Sequence, residues 1–292
     1  MPALADSIKQ NLGNITPIYP GDIAKIKHKA ERPLFMLSAL VTIVLVIVAF
    51  TSDIGDPLAR YLFDDEGSEP STLLEWVLVI PFIVVFFLYY THAQTMAYAI
   101  RVSEKSFPEI YYKSVEFAKK LGMPSVPAVY IEQQNGVINA FAATVLGKRY
   151  VMLNAEIVDV AYMEHKDFDT VFFVLAHEFG HLYFRHGEFP RLLWTFIGNL
   201  IPGFGGLHMR AKEYSCDRVA QLLLERDCVR EAMILSAGRH LYKYVDAEDY
   251  LAATKKEGGI FLWAVNLLAS HPITPKRVAA LADPQKKSGA LL

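Results

Sequence analysis

The sequence predicts a mainly helical α+β chain. Two membrane-spanning helices near the N-terminus precede a soluble domain, residues 101–292, that carries a small antiparallel sheet. Three observations support this. Two long runs without a charged side chain lie within the first 100 residues, short apolar runs between turn signals follow, and much of the remainder has helical periodicity. Of the 292 residues, 53% are hydrophobic and only 21% charged, with a mean hydropathy of +0.23. That is too apolar for a disordered chain and fits lipid-embedded segments. Lys and Arg number 29 against 31 Asp and Glu, a net charge of −2, so there is no basic surface to bind nucleic acid. Two cysteines make no disulfide framework. Read as lying on one helix, Cys216 and Cys228 would be about 18 Å apart, too far to bridge.

The first apolar run, 33–52, is 20 residues long, enough to cross about 30 Å of hydrocarbon. It begins too far along the chain and is too long for a cleavable leader, and it ends at Thr51-Ser52-Asp53 with no small-residue cleavage site. The second run, 76–100, is 25 residues without Asp, Glu, Lys or Arg. Its Pro81 is tolerable in a membrane helix, and Trp76, Tyr89 and Tyr90 suit the interface. Cations sit on the outer flanks: Lys9, Lys25, Lys27, Lys29 and Arg32 before the pair, then Arg101, Lys105 and Lys113 after it. The loop 53–75 has seven acids against Arg60. The positive-inside rule then gives an integral membrane protein with both termini cytoplasmic. The expected organisation is a cytoplasmic segment 1–32, a membrane hairpin 33–100 with an acidic external loop, and a cytoplasmic domain 101–292.

Within that domain, 108–121 is an amphipathic helix closed by Gly122. Residues 128–132, 137–143 and 149–153 read as strands, parted by turn signals at Gln134-Asn135-Gly136 and Leu146-Gly147-Lys148. Asp169 is expected to cap a long apolar helix running to about Phe184, and 212–225 is another helix. The uncharged run 192–209 is broken by four glycines and Pro202. It reads equally as a hairpin dipping into the membrane or as a buried loop. The ten apolar residues 260–269 are too few to span and are expected to form a core helix.

The chemistry centres on His177-Glu178-Phe179-Gly180-His181. Residues four apart share a helix face, so two imidazoles can hold one zinc ion while Glu178 leans over the open position as a general base. The preceding apolar run fixes the helix to a core. A third ligand is needed, and Glu213 opens an E-x-x-x-D spacing that puts Asp217 on the same helix face. Glu213 can coordinate, and Asp217 can accept a hydrogen bond from a ligand imidazole. His186, His208 and His240 have no ligand-like spacing and read as core or surface residues.

Taken with Ser270-His271-Pro272, the following Arg277 and the upstream stretch Ile138-Asn139-Ala140-Phe141-Ala142, these motifs resemble the membrane metallopeptidases of the HtpX and CAAX-prenyl endopeptidase family. The resemblance covers residues 110–282, with the elements in family order. It implies a minimal gluzincin-like fold and zinc-dependent endopeptidase activity with one Zn2+ per chain. Its ligands would be His177, His181 and Glu213, and its base Glu178. It further implies that His271 stabilises the oxyanion and that Arg277 pairs with Asp217. Asn139, Ala140, Phe141 and Ala142 would form an edge strand against which the substrate lies extended. The implied partners are protein or peptide substrates, misfolded membrane proteins among them, and the lipid bilayer, with a role in quality control. One departure is that HtpX has two further membrane segments between HExxH and the ligand Glu, where this chain has only 192–209. Cys216 stands where the family often has Ala and is expected to be a buried thiol rather than a ligand. The competing function is a proteolytically inactive membrane scaffold or chaperone-like binding module. Such a protein would usually lack the base or a ligand, and this chain has all four.

Overall fold

The structure, a computed structural model, describes residues 2–51, 72–134, 139–145, 147–201, 203–256, 259–283 and 291. The expected acidic loop, the Asn135-Gly136 turn and the strand start at 137–138 therefore lie wholly or mostly outside the described residues. Helices α1 (Pro2–Asn11) and α2 (Pro20–Ile26) lead into α3 (Glu31–Thr51), and α4 (Thr72–Tyr98) runs unbroken through Pro81. Within these, Glu31–Val48 and Val79–Tyr98 have mean hydropathies of 2.0 and 1.4, and only 17% and 6% of their residues are buried. A core helix of a soluble protein would be covered on most faces. These two leave most of their apolar side chains exposed, and each is long and apolar enough to cross a membrane.

The sheet contains β1 (Ile100–Arg101), β2 (Ala128–Glu132), β3 (Ala140–Val145) and β4 (Lys148–Asn154), in the order β1-β2-β4-β3. It is mixed rather than antiparallel throughout: β4 pairs antiparallel with β3 but parallel with β2. The reason is topological. β2 and β3 run in opposite directions but leave a strand-wide gap between them, and β4 fills it. Local turn signals specify reversals of direction, not neighbours. As a result β3 has β4 as its one strand partner and forms an edge of the sheet.

The core lies between this sheet and a bundle centred on α7 (Phe168–Tyr183) and α9 (Phe204–Leu224). Helix α7 buries Val171, Leu175, Ala176 and Phe179 completely. Its cap is Asp167 rather than Asp169, because the Asp167 carboxylate accepts from the Asp169 amide at 3.1 Å and the Thr170 amide at 3.4 Å. Residues of α1 and α2 join the same core: Ala5, Ile8 and Ile23 are buried beside those of α5 (Pro108–Lys120). The thiols of Cys216 and Cys228 are both buried and free, but α9 ends at Leu224, so they do not share a helix.

Gly180 lets α7 and α9 touch. A Cβ at this position would lie 3.1 Å from the Cα and 3.2 Å from the Sγ of Cys216. One of these neighbours is backbone and cannot rotate away. Gly180→Ala is therefore expected to destabilise the protein by about 1–3 kcal/mol through overpacking. Thermal unfolding in detergent measures this, and an unchanged midpoint would contradict the close packing.

The run 192–209 is neither a loop nor a single helix. It becomes α8 (Phe189–Leu200), a turn at Gly203, and the start of α9, which begins well before the expected residue 212. Helix α8 lies on α3, where a Cβ on Gly198 would come 2.9 Å from the Cα of Ser38, and Ser38 Oγ donates to the Thr195 carbonyl at 3.2 Å. Trp194 and Leu200 remain exposed on α8. The run 260–269 also departs from expectation. It forms α13 (Ile260–Leu268), but Ile260, Phe261 and Leu268 are 74%, 84% and 70% exposed, and Asn266 is its one buried residue. It is an apolar surface helix, not a core helix. The last described helix is α14 (Thr274–Ala282).

Candidate metal centre

The helical period of α7 places His177 and His181 one turn apart with their Nε2 atoms 3.2 Å from each other. Helix α9 crosses behind them and delivers Glu213, whose Oε2 is 3.4 Å from His177 Nε2 and whose Oε1 is 3.4 Å from His181 Nε2. These separations are close to the edges of roughly 3.3–3.6 Å in a tetrahedron with bonds of about 2.0–2.2 Å, with one carboxylate oxygen near each imidazole nitrogen. Two imidazoles and a carboxylate are also a donor set that suits zinc, so the residues fit a metal ion. His177 and Glu213 are buried, and His181 is partly exposed towards the cavity.

A second grouping, His177, His181 and Cys216, also brings its ligand atoms within 4.8 Å of one another. The carboxylate set is tighter. Cys216 Sγ also lies 3.7 Å from Nδ1 of His186. Burial, followed by the charges of Glu213 and Glu31, pushes the Cys216 thiol well above its ordinary range, so it stays protonated.

Each imidazole is oriented from behind. His177 Nδ1 donates to Asp217 Oδ1 at 2.8 Å, which leaves Nε2 as the ring nitrogen facing Glu213. Asp217 in turn accepts from Arg277, with Nη2 to Oδ1 at 2.6 Å and Nε to Oδ2 at 2.7 Å, a bidentate pair in which both residues are buried. Burial alone would raise the Asp217 carboxyl, but the Arg277 charge and the His177 hydrogen bond hold it below its usual value. Glu213 is likewise held well below the usual carboxylate range. Burial works against this, and the neighbouring imidazoles of His177, His181 and His271 outweigh burial.

Burial and the Arg277 charge lower His177, but its bonds to Asp217 and Glu213 prevail and leave it raised, at about 9. Without a metal the imidazole is therefore protonated at neutral pH, and a metal can take Nε2 only by displacing that proton. The sign follows from this. Below about pH 9, apparent metal affinity should rise with pH, by up to tenfold per unit from this group. Loading at pH 7.5 should release close to one proton from it. Calorimetry in buffers of different ionisation enthalpy measures the release, and none detected would contradict the assignment.

Glu178 follows His177 on the helix and lines a cavity of about 510 Å³ together with His177, His181, Glu213 and His271. His271 stands on the loop between α13 and α14, its Nδ1 3.0 Å from Glu213 Oε2 and its side chain largely exposed. Two side chains hold that loop. Arg210, fully buried on α9, donates to the carbonyls of Leu267 and Ala269, and Asn266 Oδ1 accepts from the Ile273 amide at 3.3 Å. Asn139, Ala140, Phe141 and Ala142 form the opposite wall, with Ala140 opening the edge strand β3. The expected site residues thus line one cavity, except Asp217, which is buried behind His177.

The spacing gave no sign of His186 and Glu31. His186 is buried as expected of a core residue, but its Nδ1 lies 3.0 Å from Nδ1 of His181. Burial lowers His186 to about 3, so its ring is neutral. His208 is buried and His240 exposed, and neither lines the cavity.

Compared with known proteins, the chain matches the model of peptidase family M48 over residues 104–193 and 189–285. No curated protein and no solved structure matches it.

Proposed function

The chain belongs to peptidase family M48, the family of HtpX and the CAAX-prenyl endopeptidases, and is a metallopeptidase; from that premise we propose that it is a membrane-anchored, HtpX-like zinc endopeptidase that cleaves misfolded or misassembled membrane proteins on the cytoplasmic side of the bilayer. The observation carrying this reading is the gathering of His177 Nε2 and His181 Nε2, 3.2 Å apart, with the Glu213 carboxylate, whose Oε2 and Oε1 lie 3.4 Å from the first and the second nitrogen, at a cavity that also holds Glu178.

His177, His181 and Glu213 would hold the zinc. When bound, zinc supplies Lewis acidity that makes a water easier to deprotonate and a peptide carbonyl easier to attack. Glu178 takes the proton from the attacking water and returns it to the nitrogen of the breaking C–N bond, so no covalent acyl-enzyme forms. His271 donates to the carbonyl oxygen as negative charge develops there. The unpaired edge of β3 at Ala140–Ala142 offers backbone hydrogen bonds to a substrate lying extended, which keeps the scissile bond near Glu178. Asp217, braced by Arg277, keeps His177 oriented. Cys216 and Cys228 take no part. Cys216→Ala is expected to retain at least half the activity and full metal content, and loss of metal in that variant would favour the cysteine-containing ligand set.

The two largely exposed apolar helices support anchoring, and the flanking cations support a cytoplasmic active site. The acidic loop would lie on the opposite side. The direct test is proteolysis of casein by the full chain in detergent, before and after stripping with 1,10-phenanthroline. Cleavage that stops on stripping and returns with added Zn2+ supports the reading. Cleavage indifferent to the chelator overturns it.

A further inference from the structure

The mechanism above uses His177 with its carboxylate partner but leaves His181 without one. The structure supplies that partner by a longer route. Past the end of α7 the chain turns at Arg185, with φ at +61°, and the His186 amide donates to the His181 carbonyl at 3.0 Å. This turn folds the His186 ring back against that of His181. Its other nitrogen, Nε2, is 3.0 Å from Oε1 of Glu31, the first residue of membrane helix α3, 155 residues upstream.

Glu31 is 1% exposed and has several partners besides His186. Lys27 Nζ is 2.7 Å from Oε1, and Ser215 Oγ donates to Oε2 at 2.6 Å. Ser215 Oγ itself accepts from the His28 amide at 2.9 Å. The carboxylate is thus fixed in place from α2, α3 and α9. Hydrogen bonding then determines the tautomers in sequence. A carboxylate can only accept, so His186 presents Nε2–H to Glu31. The 3.0 Å contact between the two Nδ1 atoms needs one N–H and one lone pair; with the hydrogen of His186 on Nε2, its Nδ1 is the acceptor and His181 presents Nδ1–H to it. His181 is left with a lone pair at Nε2, the atom that faces His177 and Glu213.

We propose that Glu31 and His186 are positioning residues of the metal centre: the carboxylate fixes the His186 tautomer, and His186 holds the Nε2 lone pair of His181 towards the metal. The inference rests on His181 being a ligand. Both imidazoles of the centre are then backed by a carboxylate, His177 directly by Asp217 and His181 through a second imidazole. Glu31 also begins the helix that would anchor the protein, so the seating of α3 and the orientation of His181 are one structural event.

The test uses the full chain in detergent and Zn2+ alone, with affinity measured by competition against a chromophoric chelator. Glu31→Ala and His186→Phe are each expected to weaken Zn2+ binding 10- to 100-fold. If both act through His181, the double variant should be no more than about threefold weaker than the worse single one. Wild-type affinity in the single variants, or losses that multiply in the double one, overturns the proposal. A purely structural role would lower the melting temperature but leave the visible absorption of the Co2+-substituted protein unchanged. The proposal expects that spectrum to shift. If Glu31→Ala does not fold, Glu31→Gln beside His186→Phe decides the matter by the same two readouts. His181→Ala separates the two levels of the argument. If it binds Zn2+ like the wild type, the ligand reading itself fails. If it loses Zn2+ while the Glu31 and His186 variants do not, only the positioning role fails.

Discussion

Glu178→Gln is expected to bind Zn2+ like the wild type and to lose peptide hydrolysis by about 10²–10⁴-fold, the usual worth of a general base. The amide has the shape of the carboxylate but cannot take a proton near neutral pH. Glu178 is 7% exposed and lines the cavity beside both candidate histidine ligands, so the substitution changes the reaction without changing the packing. Casein cleavage is compared at equal zinc content, measured by elemental analysis, with thermal melts as a folding control. Residual activity above about a tenth of wild type, a loss well below the range for a general base, would remove Glu178 from the role of base. Loss of zinc would instead show that the residue supports the metal site.

The largest expected effect on stability is that of Asp217→Ala. Asp217 and Arg277 are 2% and 8% exposed and pair through two hydrogen bonds. Removing the carboxylate leaves a guanidinium buried without its partner, which costs about 3–5 kcal/mol. In a domain of this size that lowers the melting midpoint by roughly 10 °C. The His177 imidazole loses its acceptor in the same step, and zinc affinity should fall 10- to 100-fold. The double variant Asp217→Ala with Arg277→Leu removes both charges and should recover much of the stability but none of the zinc affinity. If the double variant recovers neither, the loss lies in packing rather than in the unpaired charge.

The site was legible in the sequence wherever its geometry is a helical repeat. His177 and His181 lie four residues apart, as do Glu213 and Asp217, and the period of the helix alone brings each pair to one face. His186 was not legible, because its role depends on Glu31, and no local spacing records a contact across 155 residues. The sheet was only partly legible. Alternation and turn signals located β2 and most of β3 and β4, but the insertion of β4 between them is a long-range choice, and the two residues of β1 are too few to carry a pattern. The helix Ile260–Leu268 shows a different limit. Hydropathy registers that side chains avoid water, not whether protein or lipid replaces it, so an exposed apolar helix and a core helix read alike.

The way the first 32 residues are used has a practical consequence. Ala5, Ile8 and Ile23 sit in the core, His28 and Glu31 bond to Ser215 on the helix that carries Glu213, and the exposed apolar side chains of α8 and α13 belong to the part of the chain after both long apolar helices. A fragment begun at residue 101 to obtain a water-soluble enzyme would therefore lose core and ligand support while keeping its oily surface. It would aggregate where the intact chain, in detergent, stays dispersed. Activity and solubility cannot be separated by trimming from the N-terminus.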